Sequence, residues 1–373
     1  MMYLDSPAGV GMSYSLNKSD YTTGDLKTAS DAHTFLLKWF ELYPEFQLNP
    51  FYISGESYAG IYIPTLADEV VKGVAVASEP PPVGRPGTAR LIIMPWRAVA
   101  GQARLPGRAG QFGQRPPIQT LRRVHNRGRE QWRRLFYCLV LSERDPAFDP
   151  VVLWLNGAPA APASTDSSTR TVWIDLILTF HPFNFERGST PGATDADYVK
   201  NSFDVSAACH GTFWGKVNDV CQENIDRVRW SDELATIWLD DEDVRGAIHA
   251  KPKSLIGSWE LNTARIDYTH DTGSMVDYHK KFTAMGYRVL IYSGDHDLCI
   301  PFTGTEAWVR SLGYRVVDSW QPWHFGGQVA GYTQGYDHNL TFLTIKGSGH
   351  TVPEYKPKES LAFYAHWLFG QKI

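Results

Sequence analysis

Long apolar runs are absent from this 373-residue chain, and with no stretch of about 18 or more apolar residues the sequence predicts no transmembrane helix. The first residues, MMYLDSPAGVG, lack the basic and apolar regions of a secretory leader, so we expect no signal peptide in this chain. A formal net charge of -4 gives no overall field that would recruit nucleic acid or an anionic membrane, and neither is an expected partner.

Cysteine is scarce as well. The four cysteines are too few for a disulfide scaffold and do not indicate a redox compartment. Cys209 and Cys221 lie twelve residues apart in a polar, glycine-containing stretch, and we predict a local disulfide loop between them. N-x-S/T triplets at Asn17 and Asn339 predict glycosylation only if the protein enters the secretory route, because such triplets also arise by chance.

Lysine is missing over one long internal stretch, between Lys72 and Lys200. Within it, residues 74 to 134 are dominated by Arg, Pro and Gly and follow no sustained helical or strand period, which predicts an irregular insert. The alternative is an Arg-rich tract that binds nucleic acid, but such modules normally add aromatic residues at regular positions for base stacking.

The chain as a whole is 43% hydrophobic and can bury one large core. In TASDAHTFLLKWFELY, apolar residues recur at helical spacing and predict a helix over 28–43. Ser30 or Asp31 is the expected N-cap, and Pro44 is the expected terminator.

Further segments alternate between strand and helix patterns. A short apolar run over 51–53 predicts a strand that enters the turn SGESYAG, followed by a helix ending near Gly73. Later strands are predicted in FYCLVL, VVLWL, YRVLIYSG and LTFLTIKG, and later helices over 275–285 and 358–370. This alternation predicts an α/β fold with a mainly parallel sheet covered by helices on both faces.

The turn after the first of these strands has the pattern of a nucleophile elbow. Ser57 stands in GESYAG, close to G-x-S-x-G but with Ala59 in place of the second glycine. Small residues flank the serine because such an elbow is tight. The backbone N–H of Tyr58, directly after the serine and at a helix N-terminus, is the expected oxyanion donor.

A serine nucleophile needs an imidazole that takes its proton and an anion that orients the imidazole. Asp297 follows the strand YRVLIYSG and His350 follows LTFLTIKG, so each comes just past a strand's C-terminal end, where open α/β sheets bind ligands. The chain order Ser, Asp, His is that of α/β hydrolases.

Other residues are candidates for the same roles: Asp295 competes with Asp297, and His296 and His338 compete with His350. Metal ligation by the acidic and histidine side chains over 295–297 is the other reading, but no H-E-x-x-H-like pattern supports it, so we predict no metal or cofactor.

Three motifs, GESYAG, GDHDLCIPF at 294–302 and GSGHTVPEYKP at 347–357, make the chain resemble plant serine carboxypeptidases of the S10 family. Further blocks of the resemblance are MYLDSPAGVGMSYS, TASDAHTFLLKWFELYPEF and VVLWLNG. The resemblance implies one α/β-hydrolase domain over 1–373 that includes the insert, and an exopeptidase acting on peptide or protein C-termini at acidic pH. It also implies a vacuolar or extracellular location, with a homodimer as the candidate assembly.

Residue roles follow from the same resemblance. Ser57, Asp297 and His350 become the catalytic triad, while Glu56 and Asn156 would hydrogen-bond the terminal carboxylate of the substrate. A glutamate suits that role because it donates to a carboxylate when protonated and repels it when ionised, so substrate binding should weaken as pH rises.

The chain also departs from the family pattern. In the family, the strand ending WLNGGPG precedes the YLDSPAGVG block, whereas here VVLWLNG at 151–157 follows the nucleophile. APAAPAS replaces GPGCSS after Gly157, so the second oxyanion N–H would belong to Ala158. The acidic residue expected before HGPFNF is absent from TFHPFNFE. Two alternatives stay open: an acyltransferase that uses glucose esters and shares the triad, and a non-catalytic relative that binds peptides or nothing at all.

Overall fold

A computed structural model of the chain describes residues 1–76, 118–120, 125–126, 129–130, 133–157, 235–260, 263–297 and 300–373. Within these residues the chain forms a five-stranded sheet, a four-stranded sheet and three two-stranded pairings, with helices packed against the sheets.

The strands are, in chain order, β1 (Met2–Leu4), β2 (Tyr14–Ser15), β3 (Thr22–Gly24), β4 (Phe51–Glu56), β5 (Ile118–Thr120), β6 (His125–Asn126), β7 (Arg129–Glu130), β8 (Arg133–Arg134), β9 (Phe136–Leu139), β10 (Val151–Asn156), β11 (Asp267–Thr269), β12 (Val289–Gly294), β13 (Val316–Phe325), β14 (Gln328–Tyr336) and β15 (Leu340–Ile345). The helices are α1 (Asp25–Leu42), α2 (Ala59–Val76), α3 (Glu242–Ala247), α4 (Lys253–Ile256), α5 (Val276–Ala284), α6 (Phe302–Ser311), α7 (Val352–Tyr355) and α8 (Pro357–Leu368).

Parallel pairs lie next to the elbow, and antiparallel strands extend both sheets away from it. The first sheet has the order β4-β10-β1-β9-β5, in which β10 is parallel to both β4 and β1, while β9 is antiparallel to β1 and β5. The second has the order β12-β15-β14-β13, in which only β12 and β15 are parallel. Both sheets are therefore mixed rather than mainly parallel. In the second sheet, β14 follows β13 after a tight turn, and strands joined by a tight turn pair antiparallel.

Strand β10 occupies a central position in the first sheet although it follows β4 in the chain. Leu153 is paired with Met2 of β1 on one side and with Ile53 of β4 on the other. All five residues from Val151 to Leu155 are buried, as expected for a strand covered on both faces. The departure in chain order thus does not keep VVLWLNG away from the strand that carries Ser57.

Both predicted N-terminal helices form, with different ends. Helix α1 begins at Asp25, and Gly24 rather than Ser30 or Asp31 is its N-cap, because Gly24 is extended and an acidic residue in the first turn interacts favourably with the helix dipole. Helix α2 continues past Gly73 to Val76 and keeps Pro64 in its interior.

The predicted insert is more regular at its edges than expected. Helix α2 enters it, and β5 and β8 lie within it, β5 pairing with β9 and β8 with β2. Arg133 in β8 is buried and forms ion pairs of 2.8 Å with Asp20 and 2.9 Å with Asp31. This arginine therefore stabilises the protein interior. Strands β6 and β7 also lie within the insert and pair with each other antiparallel, and its remaining residues lie outside the described ranges.

The largest apolar core lies between the first sheet and helices α1 and α2. Phe35 and Trp39 of α1, Leu66 of α2, Met2 of β1 and Leu153 of β10 are all at most 1% exposed. A second core packs β15 against α8, where Leu343, Ile345 and Phe363 are buried. These two layers hold the carboxyl ends of β4, β12 and β15 at fixed positions.

Candidate active site

Ser57 lies in the sharp turn between β4 and α2. Its φ is +57°, in the left-handed region that residues other than glycine seldom adopt, and such strained backbone collects at functional sites. A Cβ at Gly55 would lie 2.0 Å from the Leu155 carbonyl oxygen, so β4 approaches β10 this closely only because glycine stands there. A Cβ at Gly60 would meet nothing within 4 Å. Close approach therefore requires the first glycine of GESYAG but not the last.

The three side chains predicted to form a triad are brought into contact. His350 Nε2 is 2.8 Å from Ser57 Oγ, and His350 Nδ1 is 2.9 Å from Asp297 Oδ2. His350 and Asp297 are each 8% exposed. The Ile300 N–H donates to the second Asp297 oxygen, Oδ1, at 3.0 Å. Because the carboxylate is acceptor-only, it favours a proton on Nδ1 and leaves Nε2 to accept the serine proton.

Asp297 and His350 meet because β12 and β15 are parallel neighbours that end together. Gly294 is paired with Ile345, and each of the two strands is followed by a turn at this point. A Cβ at Gly294 would lie 2.2 Å from the Ser348 carbonyl oxygen, so the two turns are in direct contact. The Gly347 N–H donates to Asp295 Oδ1 at 2.7 Å, which ties the turns together.

The competing side chains have other positions. Asp295 holds the Gly347 turn, and His296 Nε2 lies 3.8 Å from Asp295 Oδ1. His338 is exposed, contacts Asp337 at 3.0 Å and stacks on Tyr314. In the described ranges no group of three or more His, Cys, Asp or Glu side chains is arranged to hold a metal ion.

Glu56 and Asn156 stand side by side at the carboxyl ends of β4 and β10. The register of these parallel strands pairs the two residues directly. Trp154 Nε1 donates to Asn156 Oδ1 at 2.8 Å, which orients the amide. Glu56 is only 6% exposed and lies immediately before the serine. The predicted carboxylate-binding pair is thus adjacent to Ser57.

Gly157, the residue directly after β10, lies against the elbow. A Cβ on this residue would lie 2.1 Å from the backbone nitrogen of Tyr58 and 2.6 Å from that of Ala59. The backbone at Gly157 therefore lies beside the N–H groups at the start of α2. Ala158, the predicted second oxyanion donor, lies outside the described residues.

A cavity of about 580 Å³ opens at Ser57 and His350 and extends between β4 and β12. Its walls are largely apolar and include Ile63, Ala67, Phe282 and Ile291. His279 and Trp308 also line it and stack with ring centroids 5.1 Å apart. Burial lowers the pKa of His279 to about 4, so the imidazole is neutral above that pH. The cavity suits an apolar side chain or acyl group.

Comparison with protein families decides the classification of this site. The sequence model of the serine carboxypeptidase family matches residues 1–82, 125–169 and 189–370. The chain belongs to the serine carboxypeptidase family. The enzyme class predicted from the motifs, a serine-type carboxypeptidase, is thereby confirmed at the level of the family.

Plant members of this family match along the whole length of the chain. Serine carboxypeptidase 1 of Hordeum vulgare is 44% identical over 392 residues, covering 100% of this chain and 74% of the relative. Serine carboxypeptidase-like 21 of Arabidopsis thaliana is 42% identical over 405 residues, covering 100% of this chain and 75% of the relative.

A solved structure agrees in fold. The crystal structure of Kex1(delta)p, a prohormone-processing carboxypeptidase from Saccharomyces cerevisiae, superposes with a TM-score of 0.54 at 13% identity, covering 98% of this chain and 73% of the other. The predicted α/β-hydrolase fold class is confirmed by this likeness.

Sequence reasoning missed a buried carboxylate beside the elbow of this family member. Asp25, the first residue of α1, is 0% exposed and accepts hydrogen bonds from the hydroxyls of Tyr58, Tyr268 and Thr272. Burial acts to raise its pKa, but these hydrogen bonds outweigh burial and hold the pKa of Asp25 below its usual range. The only signal in the sequence is an acidic residue in a helix's first turn, which carries no information about the partners.

The remaining predicted sites lie at the surface or outside the described ranges. Asn17 is exposed and caps a short 3-10 helix through a bond from the Ser19 N–H. Asn339 is exposed in the turn before β15. Cys209 and Cys221 lie outside the described residues. No helix in the described part of the chain is both long and apolar enough to cross a membrane.

Proposed function

We propose that this chain is a serine carboxypeptidase that releases C-terminal residues from peptides through an acyl-enzyme at acidic pH. The observation that carries the proposal is the bridge made by His350, 2.8 Å from Ser57 Oγ and 2.9 Å from Asp297 Oδ2. A hydroxyl, an imidazole and a buried carboxylate in this order form the arrangement that activates a serine nucleophile.

The reaction then follows the acyl-transfer sequence. Ser57 Oγ attacks the carbonyl carbon of the last peptide bond while His350 Nε2 takes its proton. His350 returns that proton to the leaving nitrogen, so the C-terminal amino acid departs and the remaining peptide stays as an ester on Ser57. Water repeats the two proton transfers and frees the acyl group. Asp297 keeps the imidazole in the required tautomer throughout.

The oxyanion of each tetrahedral intermediate is assigned to two backbone N–H groups, those of Tyr58 and Ala158. The support is the approach of Gly157 to the elbow, because a residue directly after Gly157 can direct its N–H toward the same point as Tyr58.

The exopeptidase preference is assigned to Glu56 and Asn156. Their pairing across β4 and β10 gives two side chains that can bind one carboxylate together, next to the nucleophile. A protonated Glu56 donates to the substrate carboxylate and an ionised one repels it, so we expect activity to fall as pH rises through the titration of Glu56.

The wider assignments rest on the family. We propose that residues 1–373 form one domain, supported by Ser57 and His350 meeting from opposite ends of the chain and by the Tyr52 hydroxyl, which donates to the Leu368 carbonyl. A vacuolar or extracellular protein would be glycosylated at Asn17 and Asn339 and would oxidise Cys209 with Cys221. A homodimer is the proposed assembly.

Fluorophosphonate labelling tests the central part of the proposal. We expect the purified chain to be labelled at mildly acidic to neutral pH, and a Ser57→Ala variant with the same unfolding transition to remain unlabelled. A folded wild-type protein that is not labelled would contradict an activated serine and leave a non-catalytic relative of the family.

An acyltransferase would be labelled equally, since it shares the triad. Glu56 beside Asn156 favours the peptidase, because a terminal carboxylate is what this pair can bind and a glucose ester lacks one. Release of free amino acid from a peptide, compared with acyl transfer from a glucose ester, separates the two enzymes.

A further inference from the structure

The side chain of Tyr58 connects the elbow to the buried carboxylate of Asp25. The Tyr58 hydroxyl donates to Asp25 Oδ1 at 2.6 Å, and the Tyr268 hydroxyl donates to the same oxygen at 2.9 Å. The other oxygen, Oδ2, accepts from the Asp271 N–H at 3.0 Å and from the Thr272 N–H and hydroxyl at 3.2 and 2.9 Å. Five donors thus converge on one carboxylate.

Proton counting fixes the direction of the bonds around Tyr58. Burial, together with the bond to Asp25, raises the pKa of Tyr58. Its hydroxyl therefore stays protonated, and it donates its single hydrogen to Asp25 in a hydrogen bond. His270 Nδ1 lies 2.5 Å from the same hydroxyl and must therefore act as the donor there. The ring also meets Tyr62 edge-on, with centroids 5.1 Å apart. Few degrees of freedom remain for this side chain.

The backbone on the other side of the same residue is strained and crowded. Ser57 has a φ of +57°, and Gly157 approaches the Tyr58 nitrogen closely enough that a Cβ would fall 2.1 Å away. Strained backbone persists only where its surroundings hold it. A rigid ring anchored at its tip is one such restraint, because it fixes the residue that directly follows the strained one.

We propose that Asp25 is a positioning residue, which holds the Tyr58 hydroxyl and thereby the Tyr58 N–H in the orientation needed for oxyanion stabilisation. The inference rests on the proposed function, in which that N–H is an oxyanion donor. Asp25 touches neither Ser57 nor the substrate and acts entirely through Tyr58.

The substitution Asp25→Asn tests this role with little change in size. An amide offers one acceptor oxygen, whereas Asp25 meets phenol donors at Oδ1 and three donors at Oδ2. Whichever way the amide turns, its NH₂ faces at least two donors. The Tyr58→Phe substitution removes the same link from the other side. Tyr268→Phe is the matched control, since it removes a phenol bond to the same Asp25 oxygen but keeps both the ring that meets Tyr58 edge-on and the Tyr58 bond to Asp25.

The experiment is a double-mutant cycle on the rate of fluorophosphonate labelling, with thermal unfolding of each protein measured alongside. We expect D25N and Y58F each to slow labelling roughly tenfold, a smaller loss than deletion of an oxyanion donor causes, and the double variant to be slowed roughly tenfold as well. With peptide substrates the same loss should appear in kcat while KM changes little. Y268F should unfold at lower temperature yet be labelled within about twofold of the wild-type rate.

The outcomes separate cleanly. A double variant slowed roughly a hundredfold, or a folded D25N labelled at the wild-type rate, overturns the positioning role while leaving the proposed function intact. If D25N does not fold, Y58F and Y268F decide: slow labelling of Y58F alone supports the role, and equal rates overturn it. A folded wild type that is not labelled overturns the proposed function and this inference together.

Discussion

The contact between Gly157 and the elbow makes a strong prediction for Gly157→Ala. A Cβ at this position would lie 2.1 Å from the Tyr58 nitrogen, and real Cβ contacts essentially never fall below 3.0 Å, so the backbone must move by about 0.9 Å. Displacement of a reacting group by about 1 Å can cost 10²-fold in rate. We therefore expect labelling by a fluorophosphonate to slow about 100-fold.

Gly60→Ala is the matched control for this substitution. It adds the same methyl group on the other side of the same elbow, where nothing lies within 4 Å, and it replaces a glycine inside helix α2. We expect labelling within about twofold of the wild-type rate and an unfolding transition close to that of the wild type, because Gly60 is the second residue of α2 and the penalty on glycine applies to helix interiors. The assay is the second-order labelling rate of samples matched by their unfolding transitions. A folded G157A labelled at the wild-type rate would refute the argument that Gly157 shapes the oxyanion site.

Three further predictions concern other parts of the structure. Asp297→Asn should lower the labelling rate by about 10⁴-fold without unfolding the protein, because His350 loses the partner that sets its tautomer, and a loss under tenfold would contradict this. The free energy of unfolding of the wild type should decrease as pH falls from about 6.5 to about 4, because unfolded His279 is protonated in that range and native His279 is not. In denaturant titrations, His279→Phe should remove this dependence of stability on pH, and an unchanged dependence would argue against the role of His279. Arg133→Met should destabilise by about 3 to 5 kcal/mol in urea unfolding by leaving Asp31 buried without its cation, whereas a change below 1 kcal/mol would mean that the pair is not buried in solution.

The chemistry of the site could be predicted from sequence because it is written in local motifs. GESYAG identifies a turn between a strand and a helix, and the turns that carry Asp297 and His350 each follow a clear apolar strand. Parallel strands of an α/β sheet end at one edge, so these local facts predict that the three side chains meet, and they do so at 2.8 and 2.9 Å. The membership of the chain in its family follows from the same motifs.

Other features depend on contacts that no local pattern encodes. Asp25 and Tyr58 are 33 residues apart, and Tyr268 reaches the same carboxylate from 243 residues away. The central position of β10 is set by pairing with β1 and β4, which chain order alone would not suggest. The antiparallel pairing of β13 and β14, by contrast, has a local signal, the two-residue connection Gly326-Gly327, which a search for apolar runs does not detect.

Helix ends were predicted less well for a simple reason. The pattern of apolar residues defines the buried face of α1, but in the first turn Asp25 and Lys27 are charged and Leu26 is exposed, so this turn does not continue the pattern. Its start at Asp25 depends on the carboxylate being satisfied by groups near residue 270, and so on the tertiary fold. Asp25 is thus the residue that was missed twice, as the first residue of α1 and as the buried carboxylate beside Tyr58.

Digestion of a peptide with a free C-terminus, followed by mass spectrometry, tests the central claim most directly. At mildly acidic pH the wild type should remove single residues from that end and leave the same peptide with an amidated C-terminus essentially intact, whereas the folded Ser57→Ala variant should cleave neither peptide. Cleavage at internal bonds, equal cleavage of the amidated peptide, or release that survives the Ser57→Ala substitution would contradict a serine carboxypeptidase acting through this site.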